Sequence, residues 1–348
     1  MIAGRAPLRI SFGGGGTDLP AYYERFGGQV LSAAITPACH VHLSRWRGSG
    51  VLLVSSDFDC SEKVAWGRTV DIGGPLSLPR AVLSWFATRA LLPSGIRLDL
   101  SADVPPGSGL GSSSAMTVAL VTTLAHHVAL PISAERAAEI ACEIEIDMLQ
   151  QPIGRQDQYA AALGGINTLV FTPDGVEVEP LSLSPEIEQR LEDHLMLMST
   201  RRTRDSASVL TAQRAATGVD EEVTRRLHAL KGIATAMREA LVRGDIPAFG
   251  ALLDEGWQLK RGLASGVSSA DIDHWYALAR EAGAYGGKIS GAGGGGFFLF
   301  CIAPERRGRL VSALRRAGLT PFPFAFDRQG ATTVETSSSN VTRKGTPV

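Results

Sequence analysis

Val104–Val128 reads VPPGSGLGSSSAMTVALVTTLAHHV, and the reading of this stretch decides what the rest of the chain must be. Two prolines stop any preceding strand. Gly107, Gly109 and Gly111 then alternate with small residues, and three serines open a run without Gly or Pro as far as Pro131, long enough for a four-turn helix. A glycine loop that feeds directly into a helix N-terminus is a place for phosphate. The glycines let the backbone turn its amides onto an anion, and the unpaired N–H groups of the first turn attract negative charge. The serine hydroxyls add donors for phosphate or ligands for magnesium. The structural alternative is a Pro-Gly turn with a serine cap on a buried helix. A plain cap needs neither alternate glycines nor three successive hydroxyls, so the phosphate reading is preferred. No lysine follows the glycines, which excludes a Walker loop. Gly111-Ser112-Ser113-Ser114-Ala115 comes within one residue of a hydrolase elbow, which keeps a hydrolase as a minor alternative.

The 348 residues carry 34 Lys plus Arg and 35 Asp plus Glu, a net charge of −1 that gives no reason to expect nucleic acid or an anionic membrane as partner. With 44% hydrophobic residues the chain suits two moderate cores. Cys39, Cys60, Cys142 and Cys301 lie far apart with no Cys-x-x-Cys pair, and read as reduced thiols rather than as a disulfide frame or zinc site. No signal pattern and no membrane-length apolar run is present, so the cytoplasm is expected. Nothing in the sequence decides the oligomeric state, and a homodimer stays open.

Working outward, residues 5–12 alternate like a strand and run into Gly13–Gly16, Thr17 and Asp18. Four glycines before a Thr-Asp pair favour a binding loop over a simple turn. Strands are expected at 28–44, 50–56 and 96–100, and a helix at 78–90; an early run of strands points to an α+β domain, not to regular β-α alternation. His40 and His42 share a strand face, which reads as a polar face rather than a metal pair. Residues 133–149 form a second helix carrying Glu143, Glu145 and Asp147 near its end. In QPIGRQDQYAAALGGIN (151–167), Asp157 opens a short helix, where it serves equally well as a cap or as a catalytic group. A hairpin with an Asp174-Gly175 turn follows, and the chain turns mainly helical after a domain change near 181–188. Arg201, Arg202 and Arg204 place three guanidiniums within four residues, either for substrate phosphate or as ordinary surface charge. Gly286–Ile302, GGKISGAGGGGFFLFCI, satisfies G-x-G-x-x-G, but an apolar strand follows instead of a helix, so a dinucleotide site is rejected. The polar tail 337–348 is expected to fray.

These motifs resemble those of the GHMP small-molecule kinases. Pro105–Ala115 is similar to the family's Pro-x-x-x-Gly-Leu-Gly-Ser-Ser-Ala, with one extra serine; Lys288–Gly296 resembles its third glycine motif; and Pro7-Leu8-Arg9 with Thr17-Asp18 matches its first, the Gly-Glu-His core being replaced by glycines. The form Arg9-Ile10-Ser11-Phe12-Gly13-Gly14-Gly15-Gly16-Thr17-Asp18 looks like the branch that phosphorylates heptose phosphates and fucose. The resemblance covers essentially the whole chain. It implies a two-domain α+β GHMP kinase fold, residues 1–185 and 186–348, with ATP and substrate in the cleft between them. It implies ATP and Mg2+ as cofactors. Pro106, Gly107, Ser108, Gly109, Leu110, Gly111, Ser112 and Ser113 would hold the ATP phosphates. Ser113 with Glu145, which aligns through Pro152 and Gly154 with the family's metal glutamate, would hold magnesium. Asp157 would act on the substrate hydroxyl and Arg9 beside it would offset charge. Gly14, Gly15, Gly16, Thr17, Asp18, Gly293, Gly294, Arg204 and Lys260 would face the substrate. The implied reaction is phosphorylation of the anomeric hydroxyl of a heptose 7-phosphate; the alternatives are a kinase of an unphosphorylated sugar such as fucose, and a non-catalytic relative that senses sugar and ATP.

Overall fold

A computed structural model describes residues 1–335 apart from 66, 68, 69, 92, 93 and 203–205. The expectations for Arg204 and for the tail 337–348 therefore lie outside the described residues. The organisation is α+β, with two sheets and helices packed on them.

The first sheet is built around one long strand, Gly28–Arg45. One edge pairs along its length with Ile2–Gly13. On the other edge its first part pairs with Ile166–Thr172 and its second part with Ile96–Ala102. The change of partner falls around Thr36–Pro37, where the register against Ile2–Gly13 also shifts between Pro7 and Leu8. Proline has no N–H to give a ladder, so it sits where the ladder is interrupted. Val51–Ser55 continues the sheet parallel to Ile96–Ala102, Cys60–Val64 closes that side, and Thr332–Glu335 pairs antiparallel with Ile2–Gly13 on the other. The hairpin of Ile166–Thr172 and Gly175–Pro180 turns at Asp174, as its Asp-Gly pair predicts.

Helix Ser112–His127 lies on this sheet with buried residues on nearly every side: Ala115, Val118, Ala119, Leu120, Val121 and Leu124 are all without exposed surface. A helix apolar all round must be covered all round. It approaches the sheet so closely that a Cβ on Gly4 would meet Thr123 Oγ1. The loop ahead of this helix is thereby fixed against strand Ile2–Gly13, where Arg9 N donates to Leu110 O.

The second sheet has the order Thr320–Phe322, Leu195–Ser199, Phe297–Ile302, Ala284–Ile289, all antiparallel. Every residue of Phe297–Ile302 is buried, and Phe298 and Phe300 stack at 4.9 Å. Helix Ile246–Lys260 covers Ala284–Ile289 at a distance only glycine allows: a Cβ on Gly286 would stand 2.1 Å from the carbonyl oxygen of Gly250. Against an expected partition at 185/186, the second sheet occupies 195–322, and the chain then returns to the first sheet as Thr332–Glu335.

Two glycine replacements should move stability in opposite directions. Gly286→Ala forces backbone against backbone, and the thermal midpoint should fall by the equivalent of about 2 kcal/mol or more. Gly232 stands inside helix Glu221–Val242 with nothing within 4 Å of an added Cβ, so Gly232→Ala should raise stability by roughly 0.5–1 kcal/mol. Chemical denaturation of the two variants beside the parent measures both.

Candidate active site

The loop 107–111 leads into helix Ser112–His127 with Gly107, Gly109 and Gly111 at φ 75°, 78° and 77°. All three adopt the left-handed conformation that glycine takes without strain. Gly111 is the residue ahead of the helix, and no side chain caps its first turn. The first-turn amides are therefore left for an external acceptor, which disposes of the serine-cap alternative. Ser108 and Leu110 are buried members of the loop rather than lining groups: Ser108 Oγ accepts from Leu110 N at 3.3 Å, and Leu110 O accepts from Arg9 N at 3.0 Å.

Arg9, at 4% exposure, grips Asp157 with two bonds, Nε to Oδ1 at 2.7 Å and Nη2 to Oδ2 at 2.6 Å, while its Nη1 donates to Gly109 O at 2.7 Å. A fork of this kind fixes the carboxylate in position. Asp157 sits in the first turn of Gln156–Leu163, but the residue ahead of that helix is Arg155, with no side-chain capping bond. The cap reading of Asp157 thus finds no support. A Cβ on Gly111 would come within 3.2 Å of Asp157 Oδ2, so the loop and the carboxylate are in contact across the cleft.

Glu145 is fully buried. It lies within a π-helical stretch, Glu143–Met148, that follows helix Ala134–Cys142 where the sequence predicts one continuous α-helix. The wider turn changes which side chains face inward. Ser113 Oγ donates to Glu145 Oε1 at 3.0 Å and Gln158 Nε2 to Oε2 at 2.7 Å. No ion pair to Glu145 is present among the described residues, and burial pushes its carboxyl up to about 7 despite hydrogen bonds from Ser114, Gln158 and Ser113. A buried carboxylate with a hydroxyl beside it and no protein cation is a hard-oxygen donor set that fits magnesium. Glu143, by contrast, accepts from Trp85 Nε1 and Arg89.

Asp18 is also buried, accepting from Gly16 N at 2.9 Å and Gln156 Nε2 at 2.9 Å. Burial first, and then the charge of Asp157, raise its carboxyl above the usual range. Lys260 reaches Gly291 O, and burial followed by the charge of Arg9 lowers its ammonium to about 8.

These groups, Glu145 excepted, line one cleft of about 180 Å³ between the two sheets' layers, with Arg9, Gly15, Gly16, Asp18, Gly107, Gly109, Gly111, Ser112, Ser113 and Asp157 from the first half of the chain and Lys260, Gly291 and Ala292 from the second. Several expected residues lie behind it instead. Gly14 packs on Gln29 O, and Thr17 is a buried tie, its Oγ1 donating to Gly14 O and Gln29 O. Gly293 and Gly294 are buried off the cleft; the Gly294 amide is already used by Val267 O. Lys288, held well below the usual ammonium range by burial and by Lys260, donates to the carbonyls of Ser11 and Phe12. Arg201 bonds Thr320, and Arg202 pairs with Asp271 over the Trp275 ring; neither lines the cleft. His40 pairs with Asp103.

A second cavity of about 280 Å³ adjoins the first, sharing Gly107, Ser112, Ser113 and Gln151, with Pro106, Leu76, Pro79, Leu100, Met116 and the exposed Phe58 among its lining. Its residues come from five separate segments, near 39, 57, 77, 100–116 and 151, so no local pattern in the sequence announces it.

The family model of the GHMP kinases N-terminal domain matches residues 77–165, and that of the GHMP kinases C-terminal domain matches 237–319. The D-glycero-alpha-D-manno-heptose 7-phosphate kinase of Campylobacter jejuni is 32% identical over 331 residues, 94% of this chain and 97% of that protein. The L-fucokinase/L-fucose-1-P guanylyltransferase of Bacteroides fragilis is 28% identical over 88% of this chain and 35% of its own length. Among solved structures, a D-glycero-D-manno-heptose 1-phosphate kinase from Bacteroides thetaiotaomicron superposes with a TM-score of 0.81 at 29% identity, covering 97% of this chain and 100% of that one. Lactococcus lactis galactokinase, at 18% identity and a TM-score of 0.75, shares the fold.

The buried Glu145 carboxyl makes a stability prediction for the metal-free, ligand-free protein. Its pKa in the folded chain, about 7, exceeds the ordinary 4.5, so the folded state binds the extra proton between those values. Stability should therefore fall as pH rises from about 4.5 through about 7. Glu145→Gln should remove that slope, matching the parent at pH 4.5 and exceeding it at pH 8 by roughly 3 kcal/mol. Urea titrations in the presence of a chelator at the two pH values test the sign.

Proposed function

Since the chain belongs to the GHMP kinases, we propose that it transfers the γ-phosphoryl group of ATP to the anomeric hydroxyl of a heptose 7-phosphate. The observation that carries the reading is the Arg9–Asp157 pair, fixed in contact with a glycine loop whose helix amides are unpaired. The relatives supply the substrate class; their names differ on which phosphate the heptose carries. The anomeric hydroxyl is the most acidic hydroxyl of a sugar, which makes it the one most readily deprotonated.

Phosphoryl transfer requires positioning and charge neutralisation more than covalent chemistry. The amides of Gly107, Gly109, Gly111 and Ser112 hold the nucleotide phosphates. Ser113 and Glu145 would hold magnesium, whose charge would offset that of the phosphates. The apolar second cavity, opening from the same loop, takes the base. Asp157 accepts the proton of the attacking hydroxyl as the new oxygen–phosphorus bond forms and ADP leaves. Arg9 keeps Asp157 aimed and offsets the negative charge gathered between substrate and nucleotide. Lys260 is the cation of the cleft lining placed beside this centre. With Arg201 and Arg202 directed elsewhere, it is also the described lysine available to a substrate phosphate.

Asp157→Asn should lower turnover by ~10²–10⁴-fold and leave ATP binding almost unchanged. Near-normal turnover in a folded Asn variant removes Asp157 from the reaction. In a panel of sugars with ATP, heptose 7-phosphate should exceed free heptose and fucose by at least ~100-fold in kcat/KM, with inorganic phosphate competing against the sugar. Comparable activity on the free sugars overturns the sugar-phosphate reading and leaves a sugar kinase. Because the Lys260 ammonium titrates near 8, kcat/KM for the sugar phosphate should fall as pH rises through that value, and Lys260→Met should flatten the falling limb.

A further inference from the structure

Three residues that line the cleft each carry a buried side-chain atom with no hydrogen-bond partner within the protein: Ser11 Oγ, Gln156 Oε1 and Gln213 Nε2. Ser11 and Gln213 are 5% and 4% exposed. The other such atoms among the described residues do not line this cleft. A buried polar atom left unpaired bears the full loss of its hydration, and folded proteins keep few of them. Three on lining residues of one cleft, from three separate elements, mark a place completed by a ligand.

The glycine loop explains how they approach. A Cβ on Gly16, which has φ 101°, would stand 2.4 Å from Gln213 Nε2; one on Gly15 would stand 3.4 Å from Ser11 Oγ and 3.8 Å from Gln156 Nε2. The loop is bare where these groups come up to it. The polarity of one of them is fixed. Gln156 Nε2 is committed to Asp18 Oδ2, so Gln156 Oε1 offers an acceptor, while Ser11 offers a hydroxyl of either sense. Gln213 adds a donor from helix Ser206–Ala216, where it shares a face with Leu210, also part of the lining. Thr217 ties the end of that helix through N and Oγ1 to Gln213 O.

The set is neutral, mixed in sense, and adjacent to the Asp18 carboxylate. An anion would meet two acceptors there. Neighbouring hydroxyls, each donor and acceptor at once, meet all three groups correctly. We infer that Gln213 is a specificity-determining residue, the donor that completes a hydroxyl-reading site made with Ser11 and Gln156, and that helix Ser206–Ala216 thereby reads the sugar rather than the phosphates. This rests on the sugar-kinase reading above.

The test compares the parent with Gln213→Leu and Gln213→Glu on heptose 7-phosphate and its monodeoxy analogues. In both variants KM for the sugar should rise at least ~10-fold while KM for ATP stays within about twofold. One monodeoxy analogue that the parent rejects should be handled by Gln213→Leu as well as the parent sugar is. Removing an unpaired buried donor should leave the thermal midpoint of the ligand-free Leu variant unchanged or raised, which a merely structural glutamine would not allow. Unchanged sugar KM in both variants overturns the assignment. So does a joint rise of both KM values with a lowered midpoint, or an undiminished set of deoxy penalties. Failure of the kinase reading itself is separate, because the parent enzyme would then turn over no sugar in the panel.

Discussion

Everything at the centre of this molecule depends on two glycine loops lying backbone against backbone. A Cβ on Gly109 would stand 2.6 Å from Ser290 O, one on Gly291 2.7 Å from Gly109 Cα, and one on Gly296 2.2 Å from Ser108 O. No other residue type fits at such a contact. The phosphate loop of the first half is therefore seated directly on the third glycine motif of the second half. Arg9 then braces the loop from below through Gly109 O, and Lys288 ties the end of the first strand to the second sheet through Ser11 O and Phe12 O. The cleft is the gap these contacts leave.

This explains why some expectations hold at the level of the motif and not of the residue. The periodicity of 5–12, 28–44 and 297–302 and the Asp-Gly turn are local, and the strands and hairpin they announce are present. The loop into helix 112–127 is also local, because glycine alternation and a Pro-free apolar run have few other solutions. Glycine runs, however, do not distinguish an approach to ligand from an approach to backbone. Gly15 and Gly16 face the cleft while Gly14 packs on Gln29, and Gly291 faces it while Gly293 and Gly294 hold the loop's rear. The same applies to charge: Arg201 and Arg202 read identically to a phosphate clamp, yet find Thr320 and Asp271 across the fold.

Other features could not be read because they arise from packing. Residues 133–149 carry a good helical repeat, and nothing in that repeat reports the π-helical turn that sets Glu145 inward beside Ser113. The second cavity assembles from segments near 39, 57, 77, 100–116 and 151. Gln213 lies in a helix whose composition is unremarkable, and only the tertiary position of its amide against Gly16 separates it from any surface glutamine. Sequence patterns carry chemistry when the chemistry is local, and these groups come together only in the folded chain.

The pairing of Ile2 with Glu335 joins segments more than three hundred residues apart. Closing so long a stretch costs chain entropy before the ladder returns any of it, so this edge of the first sheet is a late event in folding. Until it forms, the amides and carbonyls on that side of Ile2–Gly13 face any passing extended segment. Arg9, on the same strand, likewise waits for Asp157, at a sequence separation of 148. The order in which this sheet is completed is thus set by sequence separation, with the outer edge last.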